Sequence, residues 1–247
     1  ERMIAEDNRF VVIMPCFNAE STILKSLLSV ISQSYINWKV IIRDDMSTDR
    51  TREIIDGVIN VFGLQNKIIV ETNTEKKWEV KNILEMLRLE NEVTDQDIIC
   101  RLDGDDWLTE LDAFAILNSV YQNTKADVVW TAHRWGFSDK NISGPMPKES
   151  DPYEHPWVSS HFKTFRKHLI NEVDEKNFKN EDGDYFKRIG DQAIYLPVLK
   201  NAKGNWHFEP RVMYHYTIDN SPETFHTPDA VYQKNEAEYL RKRGYIE

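Results

Sequence analysis

The sequence predicts an α/β protein with a mostly parallel central sheet, and three observations carry that expectation. In the first half of the chain, short β-prone apolar runs alternate with segments whose apolar residues recur at helical spacing. The fourth run leads into Cys100-Arg101-Leu102-Asp103-Gly104-Asp105-Asp106-Trp107. Three carboxylates therefore fall at the C-terminal edge of a strand, where open α/β sheets bind ligands. A length of 247 residues with 40% hydrophobic content supplies a core large enough for one substantial domain.

Each element follows from local pattern. Phe10 to Met14 is a buried strand stopped by Pro15, and Ile23, Leu24, Leu27, Leu28 and Ile31 set a helix over Ser21 to Gln33. Trp38 to Ile42 is a second strand; a helix over Arg50 to Phe62 follows, capped by Thr48 or Asp49. Lys67 to Glu71 is a strand, Glu79 to Leu89 a helix, Ile98 to Leu102 a strand and Leu111 to Asn123 a helix. Such alternation implies parallel strands joined by right-handed crossovers. The second half is less regular: a strand at Asp127 to Arg134 precedes residues 136 to 160, rich in Pro, Gly, Ser and aromatics, which read as a long functional loop. Helices are predicted at Ser160 to Ile170, Asp191 to Asn201 and Ala230 to Arg243, with a strand at Trp206 to Tyr216. No repeat or linker divides the chain, so residues 1–247 read as one domain.

Composition excludes several classes. A net charge of −10 disfavours nucleic acid and anionic membrane as partners, so an anionic substrate needs a metal or a local cationic cluster. Cys16 and Cys100 lie in apolar runs and read as buried free thiols of a reducing compartment. There is no signal-peptide core at the start and no run of about 18 apolar residues. A cytoplasmic location with no transmembrane segment is expected, and a start at Glu1 also fits a domain cut from a longer chain. The first glycine is Gly57, so the loop after the first strand has no glycine-rich phosphate cradle. That removes a dinucleotide fingerprint and a P-loop, and weakens a sugar-1-phosphate nucleotidylyltransferase. A dehalogenase-type phosphatase would carry its Asp-x-Asp after the first strand. The seven histidines lack zinc spacing, and no Gly-x-Ser-x-Gly elbow occurs.

In the acidic stretch itself, an extended run through Gly104 would place Asp103 and Asp105 on one side, two hard oxygen ligands for one cation. Gly104 removes a side chain where a ligand approaches closely.

Three stretches then come into register: Val12-Ile13-Met14-Pro15-Cys16-Phe17-Asn18, Ile41-Ile42-Arg43-Asp44-Asp45-Met46-Ser47-Thr48-Asp49, and Leu102-Asp103-Gly104-Asp105-Asp106. Together they resemble the family 2 glycosyltransferases of the GT-A fold. The usual forms there are a strand ending in Pro-Thr-Tyr-Asn, an Asp-Asp-Gly-Ser-Thr-Asp loop and an Asp-x-Asp-Asp metal motif. Order and spacing agree over residues 10 to 110, with Cys16 and Phe17 replacing Thr and Tyr, and Met46 replacing Gly. The resemblance implies a GT-A fold with helices on both faces of the sheet. A nucleotide-sugar-binding half would span about 1–125, and an acceptor half with a C-terminal helix about 126–247.

The same resemblance implies roles. Pro15, Phe17 and Asp45 match positions that hold the nucleotide base, with Asn18 beside them and a carboxylate suited to accept the N–H of uracil. Asp103 matches a ribose-side or water-mediated metal position, with Gly104 next to it, and Asp105 the direct ligand of Mn²⁺ or Mg²⁺. Asp106 reads as a helix cap. Lys76, Lys77, Lys81 and Asn82 lie where related enzymes reach the donor. The implied reaction is inverting: a UDP-sugar is the donor, a glycan or other hydroxyl compound the acceptor, and a carboxylate the base. Asp191 matches the late acidic position before an amphipathic helix and is the candidate base, with helix capping as its competing role and Glu181-Asp182 as the second candidate. Trp130, His133, Trp135, Trp157, His161 and Arg166 suggest an acceptor cleft. His215, Asp219 and His226 are open candidates for a third metal ligand. A nucleotidylyltransferase and a catalytically silent carbohydrate-binding domain of the same fold stand as alternatives.

Overall fold

The computed structural model describes residues 7–217 and 228–247. Its strands are β1 (Phe10–Cys16), β2 (Trp38–Asp44), β3 (Ile68–Thr72), β4 (Ile98–Arg101), β5 (Trp107–Leu108), β6 (Val128–Trp135), β7 (Lys163–Arg166) and β8 (Trp206–Tyr216). The helices are α1 (Ile23–Ile31), α2 (Thr51–Phe62), α3 (Trp78–Leu87), α4 (Ala113–Thr124), α5 (Gly190–Ala202) and α6 (Pro228–Arg243). All eight strands form one sheet in the order β3-β2-β1-β4-β7-β6-β8-β5.

Strands β1 to β4 pair in parallel, as the strand–helix alternation predicts. β1 is central, and its side chains go alternately to two cores. Val12 and Met14 join α1, α2 and α4 on one face, while Val11 and Ile13 join α3 and α5 on the other. Burial on both faces explains why these strands read as continuous apolar runs. The C-terminal ends of β1, β2 and β4 consequently emerge side by side, bringing the loops after Cys16, Asp44 and Arg101 together.

Several sequence expectations are corrected here. The segment predicted as a helix over Ser160 to Ile170 forms β7 and then a 3-10 turn over Lys167–Ile170. Its Lys163-Thr164-Phe165-Arg166 run fills the gap between β4 and β6, antiparallel to both, and tertiary pairing overrides its helical spacing. β5, only two residues long, escapes any periodicity test and exists through its pairing with β8. β1 continues through Pro15 because its ladder with β4 ends at Ile13, so the missing N–H leaves no pairing unmade. The backbone N-cap of α2 is Arg50, not Thr48 or Asp49. The Asp49 carboxylate still accepts the Thr51 N–H at 3.0 Å and its hydroxyl at 2.6 Å.

Met46, which stands where the family pattern has glycine, adopts a left-handed φ of 66°. A left-handed non-glycine residue costs roughly 1–2 kcal/mol. Met46→Gly is therefore expected to raise the thermal midpoint, with a net gain near 1 kcal/mol after the extra unfolded-state entropy of glycine. A lower midpoint in a calorimetric scan would show that the Met46 side chain contributes more than its backbone strain removes.

Candidate active site

Beyond β4 the chain turns back on itself. Asp106 donates its N–H to the Asp103 carbonyl at 3.0 Å. The extended run expected through Gly104 is thus replaced by a turn, and the turn gathers the acidic side chains. One carboxylate oxygen from each of Asp103, Asp105 and Asp106 lies within 4.8 Å of the other two. Gly104 is needed for protein packing: a Cβ there would sit 2.7 Å from the Cys16 Cβ and 3.2 Å from the Ile23 Cδ1. Its carbonyl accepts the Thr22 and Ser26 hydroxyls, each at 3.0 Å, which ties the turn to α1.

The three carboxylates differ in their surroundings. Asp106 is buried, accepting the Tyr214 hydroxyl at 2.6 Å and the Thr217 N–H at 2.7 Å. Burial, then the charges of Asp105 and Asp103, hold its carboxyl well above the usual range. It is not a helix cap, because α4 begins only at Ala113, with Asp112 at the N-cap. Asp105 reaches solvent at the mouth of the cleft and forms no ion pair among the described residues. Crowding by the surrounding protein, followed by repulsion from Asp103, pushes it up to about 6. Asp103 is held from below, accepting N–H groups from Arg101 Nε at 3.1 Å and Nη2 at 3.2 Å.

Arg101 is buried, and a second carboxylate, Glu79 on α3, also pairs with it. Glu79 in turn accepts the Gly190 N–H at 2.9 Å, at the first residue of α5. Asp191 follows immediately, half-buried in the first turn, with Oδ1 accepting the Gln192 N–H at 2.8 Å. The backbone N-cap of α5 is Ile189, so capping does not occupy Asp191. Glu181 and Asp182 sit on an exposed turn held by Asn180 and do not line the cleft.

Glu79, Asp103 and Asp105 border a cleft of about 590 Å³ whose walls also include Pro15, Phe17 and Asp45, whereas Asp106 and Asp191 stand behind its lining. A smaller compartment of about 320 Å³ continues past Phe17, with Asn18 and Gly104 in its wall and Asp105 shared between the two. Asn18 also bridges loops: its N–H donates to the Ser47 hydroxyl at 2.9 Å, and its Oδ1 accepts the Thr48 N–H at 2.9 Å. Asp45 is 5% exposed, and both of its oxygens are engaged. Oδ1 accepts from Asn73 at 2.7 Å and the Lys77 N–H at 2.9 Å; Oδ2 accepts the Trp78 N–H at 3.0 Å and faces Lys76 Nζ at 3.5 Å. Lys76 also lies 3.0 Å from the centre of the Phe17 ring, covering one face. Of the flanking residues read from sequence, Lys76 and Asn82 line the cleft, whereas Lys77 turns away to Glu85 at 2.8 Å.

The expected aromatic acceptor cleft is not built from the residues named for it. None of Trp130, His133, Trp135, Trp157, His161 and Arg166 lines the main cleft. Trp130, His133 and His161 are core: the Trp130 indole donates to the Gly144 carbonyl, and the His161 ring stacks on Tyr214 and Tyr216 at 4.6 and 4.7 Å. His215 is buried, stacked 3.7 Å from Trp107, and its Nδ1 accepts from Arg134 at 2.8 Å, an arrangement that serves packing. Burial, then the charges of Arg134 and Lys25, push it down to about 4. Asp219 and His226 fall outside the described residues. Sequence reading missed Glu79, Trp78, Lys187, Arg188, Tyr216 and Thr217, all of which line the cleft. Glu79 and Trp78 begin a helix that follows the Lys76-Lys77 pair, the one local signal that pointed to this wall.

A mostly parallel sheet with acidic side chains at the C-terminal edge of its parallel strands, beside a cleft, is the arrangement of the GT-A glycosyltransferases. The chain belongs to glycosyl transferase family 2, whose model matches residues 11–182. It is 32% identical over 128 residues to an uncharacterized glycosyltransferase of Haemophilus influenzae, covering 52% of this chain and 47% of that protein. Over 47 residues it is 47% identical to the Escherichia coli UDP-Glc:alpha-D-GlcNAc-diphosphoundecaprenol beta-1,3-glucosyltransferase WfgD, 19% of each chain. The matched stretches thus span less than half of these relatives. In structure, S. aureus TarS 1-349 in complex with UDP superposes with a TM-score of 0.65 at 17% identity, covering 97% of this chain and 67% of that one. The mannosyltransferase PcManGT from Pyrobaculum calidifontis, in complex with GDP-Man and Mn²⁺, gives 0.60 at 15% identity, covering 94% and 61%.

Asp45 yields a stability test. Burial opposes its ionisation, but the Lys77 N–H, Asn73, Asn82 and the Trp78 N–H outweigh burial and hold its carboxyl below the ordinary 3.8. Its contribution is then fully present above pH 3.8 and is lost as pH falls from there towards the depressed folded value. Asp45→Ala is expected to cost about 2–3 kcal/mol at neutral pH and to flatten the acid limb of the stability curve. An unchanged denaturant midpoint would mean that the start of α3 does not depend on Asp45.

Proposed function

We propose that this domain is a metal-dependent, inverting glycosyltransferase that moves a sugar from a UDP-linked donor to a hydroxyl of a glycan acceptor. One observation carries the reading: Asp103 and Asp105 line the cleft, and the buried Arg101 that holds Asp103 also pairs with Glu79, which accepts the Gly190 N–H next to Asp191, close enough for the Asp191 charge to act on Arg101 and on Tyr216 in the cleft wall. The UDP complex of TarS and the UDP-Glc in the name of the E. coli relative support a uridine donor. Pro15, Phe17 and Asn18 would meet the nucleotide. Asp45, with both oxygens engaged, would shape the base pocket through Lys77 and Trp78, and would accept from the base in exchange for Lys76.

The donor set fits Mn²⁺ or Mg²⁺. The carboxylate oxygens are hard ligands, Asp105 has no competing ion pair among the described residues, and a cation would offset the burial, and then the Asp103 charge, that raise its carboxyl. Bound there through Asp105 and Asp103, the ion would neutralise charge on the departing diphosphate. Asp106 would remain a buried support fixed by Tyr214. Asp191 Oδ1 is taken by the Gln192 N–H, leaving Oδ2 for the acceptor hydroxyl. The acceptor oxygen bonds to the anomeric carbon as the bond to the diphosphate breaks, and the hydroxyl proton passes to Asp191.

The test is UDP release from UDP-glucose and UDP-GlcNAc, with and without Mn²⁺. Asp105→Ala is expected to abolish metal-dependent release. Asp191→Asn should keep Mn²⁺–UDP affinity and slow turnover by about 10²–10⁴-fold. Metal-independent release, or Asp191→Asn at the wild-type rate, would contradict the assignment.

A further inference from the structure

Three features of the cleft wall converge on one side chain that neither the family motifs nor the resemblance singles out. Glu79 pairs with Arg101, whose Nε and Nη2 hold Asp103 at 3.1 and 3.2 Å. The same carboxylate accepts the Gly190 N–H at 2.9 Å, one residue before Asp191. At Gly190 a Cβ would lie 2.5 Å from the Glu79 Cδ and 2.6 Å from its Cγ, so any larger residue there would push the Glu79 carboxylate out of this position. α5 otherwise begins without a side-chain cap. The remaining nitrogen of the guanidinium, Arg101 Nη1, is buried with no hydrogen-bond partner among the described residues, where Asp103 and Glu79 are the carboxylates paired with this cation.

We infer that Glu79 is a positioning residue that sets Asp191 in register with the Asp103–Asp105 side of the cleft. It does so by joining Arg101, beneath the metal-side carboxylates, to the first N–H of the helix that carries the base. The inference rests on the reading of Asp191 as the base. Glu79 itself need touch neither donor nor acceptor. A base displaced by about 1 Å loses on the order of 10² in rate, which sets the size of effect a misregistered α5 would produce.

The experiment measures UDP release from UDP-glucose with Mn²⁺, water serving as acceptor, together with Mn²⁺–UDP affinity by calorimetry. Glu79→Ala is expected to lower kcat by about 10–100-fold while KM and Mn²⁺–UDP affinity stay within about threefold. Glu79→Gln, which keeps an oxygen for the Gly190 N–H, should recover most of that loss. Gly190→Ala, which pushes the carboxylate aside, should reproduce it. The deciding readout is the pair Asp191→Asn and Glu79→Ala/Asp191→Asn: if Glu79 acts through Asp191, the double variant is no slower than Asp191→Asn alone. Additive losses, or Glu79→Ala at the wild-type kcat, would overturn the inference. Should Glu79→Ala fail to fold, Glu79→Gln and Gly190→Ala carry the same comparison. A wild-type protein without metal-dependent release, or Asp191→Asn at full rate, would instead sink the functional reading beneath it.

Discussion

The structure depends on one buried cation. Arg101, at the last position of β4, lies under the acidic turn and is held by Asp103 on one side and Glu79 on the other. A guanidinium taken out of water carries a desolvation cost of several kcal/mol, which fixed carboxylates offset only if their geometry is good. Burial acts against the charge, and Asp103 followed by Asp191 acts for it, so that Arg101 is held more firmly protonated than in water. Such a network is weak evidence for stability, because apolar residues of similar volume often serve as well. Its effect here is geometric: the strand that leads into the acidic motif and the helix that carries Asp191 in its first turn are referred to one planar fork.

α3 is the element that makes this possible. Its start is held by Asp45, at the end of β2, through the backbone N–H groups of Lys77 and Trp78. One turn of helix sets Glu79 against both Arg101 and Gly190. The loops after β2 and β4 and the first turn of α5 therefore share a single support, and the cleft is shaped by backbone N–H groups as much as by side chains. This also explains why Asp45 is buried with both oxygens engaged although it stands beside the nucleotide pocket that the family pattern implies.

Much of the first half of the chain was legible because parallel strands buried on both faces leave continuous apolar runs, and loops at their C-terminal ends leave motif spacing. β1 to β4 and α1 to α4 lie close to where periodicity puts them. The second half was less legible. β7 has four residues and β5 two, and both form through partners distant in sequence. Within the site, the order Asp103-Gly104-Asp105-Asp106 was readable, but a period of two could not reveal a turn, and Asp106 resembled a cap while its partners, Tyr214 and Thr217, lie more than a hundred residues away. Glu79 and Gly190 belong to no motif, and their roles arise only from the contact between α3 and α5. The tryptophans and histidines of the second half misled because an aromatic in an irregular segment looks the same in sequence whether it fills the core or faces a cleft.

The central claim is that Arg101 holds Asp103 directly, and the proposed base through Glu79, in one frame, and Arg101→Lys tests it most directly. A lysine keeps the charge but presents a single ammonium that cannot hold Asp103 through two N–H groups while also meeting Glu79. With folding verified by circular dichroism, Mn²⁺–UDP affinity and UDP release would be measured on the same preparation. The account predicts that affinity falls by about tenfold and turnover falls further. Wild-type affinity together with wild-type turnover would contradict it.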